Sequence, residues 1–143
     1  AHLEGKTVQI TADGAVHPDL VVSSGAITLN YTATDIKVGL KYVSKLTPTR
    51  PGANAGSGTT LGKMKRWDKI FVRLEQSAIP IINEQRPPVR SPSTKFGNEE
   101  PVVSEDIEVR NLGYDLNGRI EIKQDLPLAC HIISIFGTLS VGD

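Results

Sequence analysis

Three histidines, one cysteine and two acidic pairs are the residues of this chain whose types could do chemistry. The histidines are His2, His17 and His131, and no two stand two or four positions apart, the spacings that bring a pair of imidazoles onto one metal ion. The single thiol, Cys130, rules out an intrachain disulfide and any zinc site of the CxxC type. Cys130 and His131 are adjacent, but neighbours on a strand point to opposite faces, which makes them a poor nucleophile and base pair. They read as a buried structural thiol and a strand histidine. Glu99-Glu100 and Glu105-Asp106 flank a proline-rich stretch and read as solvated loop charges, not as the opposed carboxylates of a glycosidase. The glycine-rich stretch 52–62 lacks a phosphate-loop ending, because Gly62-Lys63 is followed by Met64. The expectation is a protein that is not an enzyme, with no catalytic residues, no cofactor and no metal.

One cluster could bind a partner. Lys63, Lys65, Arg66 and Lys69 surround Trp67, and cations beside a stackable ring can meet nucleic acid or an acidic surface. These five residues form the candidate interaction patch; the plainer reading is a solvated start to a strand with Trp67 packed. Lys37, Lys41 and Lys45 fall on alternate positions and give a second basic row, most simply a solvent face. Lys plus Arg equals Asp plus Glu at 16 each, which disfavours extended coating of DNA. No run of about 18 apolar residues occurs, so no membrane-spanning helix is encoded. The lone cysteine suits synthesis in a reducing cytoplasm.

The elements that must position these residues are strands. Val8 and Ile10 alternate with Thr7, Gln9 and Thr11, a half-buried strand that ends in an Asp13-Gly14 turn. Leu20 to Val22 is a second apolar run, and Ala26 to Leu29 a third strand. Ile36, Val38, Leu40 and Tyr42 alternate with Lys37, Gly39 and Lys41, predicting an apolar inner face and a basic outer one. Residues 47–62 read as a long loop. Lys69 to Glu75 alternates again, with Ala78 to Ile82 continuing it or pairing with it and Pro80 at an edge or bulge. Residues 84–101, rich in proline, read as a second long loop. Ile107 and Val109 mark another strand, joined through an Asn117-Gly118 hairpin to residues 119–123. The nearly continuous apolar run from Leu128 to Phe136 predicts a strand covered on both sides. The sum is an all-β fold of seven to nine strands, an antiparallel β-sandwich or Greek-key-like barrel with long Pro/Gly-rich loops, occupying residues 1–143 as one domain. A chain that opens at Ala1 just before its first strand reads as a fragment of a larger protein.

Several segments in order resemble one family. These are His2-Leu3-Glu4-Gly5-Lys6-Thr7-Val8-Gln9-Ile10, Ala12-Asp13-Gly14-Ala15-Val16-His17-Pro18, Gly25-Ala26-Ile27-Thr28-Leu29, Val38-Gly39-Leu40-Lys41-Tyr42-Val43-Ser44-Lys45-Leu46, Gly62-Lys63-Met64-Lys65-Arg66, and Gly118-Arg119-Ile120 with Gln124-Asp125-Leu126-Pro127-Leu128. Together they resemble the C-terminal part of the tail nozzle, or tail tubular, proteins of short-tailed bacteriophages (podoviruses). The resemblance implies a structural protein of the virion tail, made in the host bacterial cytoplasm. It implies self-association in a ring, contacts with neighbouring tail and adaptor proteins, non-specific passage of phage DNA, and no membrane partner. No enzymatic residue carries over. The alternative expectation is a carbohydrate-binding or receptor-adhesion β-sandwich module, for which Trp67 is the aromatic candidate.

Overall fold

A computed structural model describes residues 2–52, 54–55, 58–88, 99, 101–110 and 112–142. Among the described residues there are eleven strands and no helix: β1 (Thr7–Ala12), β2 (Ala15–Val21), β3 (Ile36–Leu40), β4 (Ser44–Leu46), β5 (Asn54–Ala55), β6 (Gly58–Thr59), β7 (Lys65–Leu74), β8 (Ile81–Ile82), β9 (Asp106–Arg110), β10 (Ile122–Gln124) and β11 (Ile132–Val141). They form three three-stranded antiparallel sheets, ordered β2-β1-β3, β4-β10-β8 and β11-β7-β9, and a small β5-β6 hairpin. The chain is all-β, as the period-two patterns predict.

The second and third sheets face each other across one apolar core. Ile70, Val72 and Leu74 of β7 and Ile107 and Val109 of β9 meet Ile82 of β8 and Ile122 of β10, with Ile79 and Ile120 from the connections. This is sandwich-like packing. A second, smaller cluster sits on the first sheet, where Val8, Ile10 and Val22 are covered by Leu3, Leu20, Ile27 and Leu29. The β1–β2 hairpin turns on Asp13 and Gly14, both left-handed at φ 50° and 76°, as a two-residue turn between twisted strands requires. The Asp13 carboxylate then accepts from the Thr34 and Asp35 amides at 3.0 and 2.7 Å, clamping the approach to β3 onto the hairpin tip.

Several expectations are corrected. Residues 26–29 do not form a strand: a bridge pairs Ser23 with Ala26, and Ile27 and Leu29 then pack as an irregular cover over the first sheet. Residues 107–110 and 119–123 do not form a hairpin. β9 pairs with β7 and β10 with β4 and β8, while the Asp115 carboxylate accepts from the Asn117 and Gly118 amides and closes a local turn instead. The last strand begins at Ile132 and occupies a sheet edge, so Ile133 and Phe136 are exposed, not covered on both sides. The row Ile36, Val38 and Leu40 does share a face with Ala12, Ile10 and Val8, but it is exposed because β3 is the outer strand and the 20–29 cover stops short of it. The second strand also starts earlier than its apolar run, at Ala15, and tolerates Pro18 because the β1–β2 register slips there. Residues 53, 56–57, 89–98 and 100 of the two expected long loops lie outside the described residues. The 47–62 stretch nonetheless contains β5 and β6.

Candidate functional site

The five residues of the basic patch do not share one surface. Between Trp67 and Lys69 the β7–β11 register shifts, with Trp67 opposite Leu139 and Lys69 opposite Thr138. Asp68 is therefore an extra residue, and the bulge inverts the alternation of β7. Lys65 and Trp67 come into phase with Ile70, Val72 and Leu74 and turn inward. Lys65 is 1% exposed, and its Nζ donates to the carbonyls of Lys63 and Leu116, each at 3.2 Å. It ties the start of β7 to the 115–118 turn. Trp67 is half-buried on the large core and donates through Nε1 to the Gly118 carbonyl at 2.7 Å. Arg66 faces outward, 2.7 Å from Asp68 and 5.0 Å over the Tyr114 ring. Only Lys69 is exposed, with Lys63 and Arg66 intermediate. The sequence does carry a signal for this split: Lys65 and Trp67 fall on odd positions while the core row Ile70, Val72, Leu74 falls on even ones, and one strand can bury both rows only through a one-residue bulge.

The other candidates resolve individually. His17 is fully buried in β2. The Asn30 amide donates to its Nε2 at 3.1 Å, so Nδ1 carries the proton and donates to the Pro18 carbonyl at 2.8 Å. Its role is to hold residues 30–31 against the sheet, with Tyr31 5.2 Å away. Cys130 is half-buried, and burial pushes its thiol above the ordinary value, the Ser77 hydroxyl opposing that rise. His131 is exposed, its amide held by Ser77 Oγ at 2.6 Å and its Nδ1 3.3 Å from the Glu75 carbonyl. Among the described residues, no group of three or more His, Cys, Asp or Glu could hold a metal ion.

Sequence reasoning missed one cleft. A cleft of about 670 Å³ is lined by Gln9 and Thr11 of β1, by residues 37–40 of β3, by β4, by Ile122 and Gln124 of β10, and by residues 126–130. Both alternate sets of β3 line it, Lys37 and Gly39 as well as Val38 and Leu40, so the edge of that strand that pairs with nothing among the described residues borders the cleft. β4 is likewise an outer strand of its sheet, and residues 41–43 carry the chain from one open edge to the other. Along this path Ile36, Val38, Leu40, Tyr42, Val43 and Leu46 are all exposed, Tyr42 by 72%. The lining holds two cations, Lys37 and Lys45, and no carboxylate. Gln124 is 8% exposed, its Oε1 accepts from the Leu126 amide at 3.2 Å, and its Nε2 is the one buried side-chain nitrogen among the described residues without a hydrogen-bond partner. The arrangement can bind an extended, largely apolar group with oxygen acceptors. The sequence signal was the 36–42 alternation itself, read as covered on its apolar side although all of β3 is exposed.

Among the described residues no helix is long and apolar enough to cross a membrane. No protein-family model matches the chain, and no curated protein matches it.

Proposed function

We propose that this chain is a structural assembly module of a short-tailed bacteriophage tail, part of a tail nozzle or tubular protein resident in the virion. The observation that carries an assembly role is the exposed apolar path through residues 36–46, borne on two outer strands. Open strand edges with apolar side chains are a liability in an isolated domain and an asset where neighbours cover them. The tail setting rests on the ordered segment resemblance, which supplies a ring below the portal and adaptor with DNA passing through it. The formal net charge of zero is compatible with a wall that does not hold phosphates. Light scattering after size exclusion on the full-length protein carrying this chain tests the reading. A closed oligomer is expected, and a strictly monomeric protein under every assembly condition overturns it.

A second reading, a carbohydrate-binding or adhesion module, draws on a different face. Trp67 does not serve it, being packed inward. Phe71 and Phe136 stack across β7 and β11 at 5.5 Å, with the Arg73 guanidinium 5.4 Å from the Phe136 ring, and Phe136 is exposed. Specific signal on a glycan array, lost in Phe136→Ala, would put this reading first.

A further inference from the structure

The cleft and the open edge of β3 specify a partner strand more closely than apolar exposure alone. Side chains directly opposite each other on paired strands share a face. A strand added to β3 would therefore set one face against Ile36, Val38 and Leu40, and the other against Lys37, Gly39 and Lys41. The first face asks for aliphatic residues. On the second, Lys37 and Lys41 stand four positions apart with exposed side chains, each already within reach of one carboxylate, Asp35 at 3.5 Å and Asp19 at 2.7 Å. Between them, a Cβ placed on Gly39 would meet nothing within 4 Å, so space is open where a large ring can lie over the glycine backbone. The cleft beneath holds the unpartnered Nε2 of Gln124, a donor for an oxygen entering from the added strand.

We infer that this edge takes up, by strand addition, an extended segment of another protein with the pattern acidic–aliphatic–aromatic–aliphatic–acidic. The pattern reads the same in both chain directions, so it fits parallel or antiparallel addition. A second copy of this chain does not supply it. None of Tyr31, Tyr42, Trp67, Phe71, Phe96, Tyr114 and Phe136 has a carboxylate two positions before it or two after it. The segment therefore lies outside residues 1–143, and the inference places it on a different polypeptide. This deepens the assembly reading, on which it rests in taking the edge as a docking surface. The experiment below reads local pairing and is blind to ring formation.

The probe is a capped peptide, Thr-Val-Glu-Val-Phe-Val-Glu-Val-Thr, titrated into the ¹⁵N-labelled full chain. Saturable amide shifts confined to residues 36–42 and to the cleft around Ile122 and Gln124 are expected. Replacing both glutamates of the peptide by lysine weakens binding by about tenfold or more, since two attractions become repulsions. Lys37→Glu, at a well-exposed position, restores part of the affinity for the lysine peptide. Gly39→Val fills the open space without a clash and weakens the phenylalanine peptide while sparing a peptide with valine at its centre. Shifts that map elsewhere, equal affinity for the charge-reversed peptide, or indifference of the phenylalanine peptide to Gly39→Val each overturn the inference. Ring formation by the parent protein alongside any of these results would leave assembly standing and this partner refuted.

Discussion

Gly137→Ala is the substitution that most directly tests the packing of the third sheet. Gly137 of β11 pairs with Ile70 of β7, next to the Asp68 bulge. A Cβ there would lie 2.1 Å from the Lys69 carbonyl oxygen and 3.1 Å from the Ile70 Cα. Carbon and oxygen on neighbouring strands approach to about 3.3 Å, so β11 must retreat by about 1 Å. Overpacking of this kind costs about 1–3 kcal/mol. Each ladder hydrogen bond that opens adds about 0.5–1.5 kcal/mol. Stiffening of the unfolded chain returns about 0.4–1 kcal/mol. The net expectation is a loss of about 2–3 kcal/mol, or a urea midpoint lowered by about 1–1.5 M at a slope near 2 kcal/mol/M. Trp67 is the only tryptophan, sits on β7 opposite Leu139, and reports this sheet by fluorescence. Gly142→Ala is the matched control: its Cβ would meet only Met64, at 3.6 Å and beyond, and its stability should change by less than about 0.5 kcal/mol. A Gly137→Ala midpoint within about 0.3 M of the unchanged chain, or equal losses in both variants, would refute the close approach and leave only a generic cost of altering strand glycines.

Three further outcomes are expected. Asp13→Ala removes the acceptor for the Thr34 and Asp35 amides and places a β-carbon residue of low left-handed tolerance at φ 50°, costing about 1–3 kcal/mol by thermal or urea unfolding. Glu84→Gly relieves a non-glycine φ of 63° in the Asn83–Glu84 turn, giving an Asn-Gly hairpin; a gain of up to about 1 kcal/mol is expected because the Glu84 carboxylate is exposed and Lys123 keeps its pair with Glu121 at 2.7 Å. Acid should destabilise the fold through four carboxylates held below their ordinary range: Asp68 by Ser140 and Arg66, Asp106 by Arg73, Glu108 by Arg110, and Glu121 by Lys123 and Lys45. A depressed folded-state pKa contributes stability above the unfolded value and loses it as pH falls through the folded one, so urea midpoints should stay level from pH 7 to about 5 and fall below about pH 4.

The strands that were legible in the sequence are those whose apolar row alternates with a polar or charged one. Ile70, Val72 and Leu74, then Ile107 and Val109, announce themselves by period two because each buries its apolar row against the core. Val8 and Ile10 alternate with polar residues in the same way, although Gln9 and Thr11 are buried as well. What was not legible is the order in which strands stand beside one another. Ile36, Val38 and Leu40 carry the same alternation as a covered strand, and only the position of β3 at the edge of its sheet exposes them. Asn117-Gly118 looks like a hairpin, yet Asp115 satisfies its amides locally and frees β9 and β10 to find partners far away in sequence. The candidate site suffered from the same gap. Lysine and tryptophan near residue 65 suggest a surface, whereas the Asp68 bulge turns Lys65 and Trp67 inward. The cleft was invisible because its walls come from β1, β3, β4 and β10, which meet only through long-range pairing.

The two apolar clusters divide the molecule into units of unequal resilience. The larger one draws residues from four strands of two sheets; the smaller rests on Val8, Ile10 and Val22 with an irregular cover. Side-chain anchoring between them includes the 2.7 Å bond from Gln9 Nε2 to the Asp125 carbonyl. Sub-global opening therefore begins at the first sheet, and amide exchange from β1 and β2 should run ahead of exchange from β7 and β9. A strand added to β3 would stiffen this weaker unit. Partner capture would then read out as slowed amide exchange at β1, on the far side of the strand that is touched.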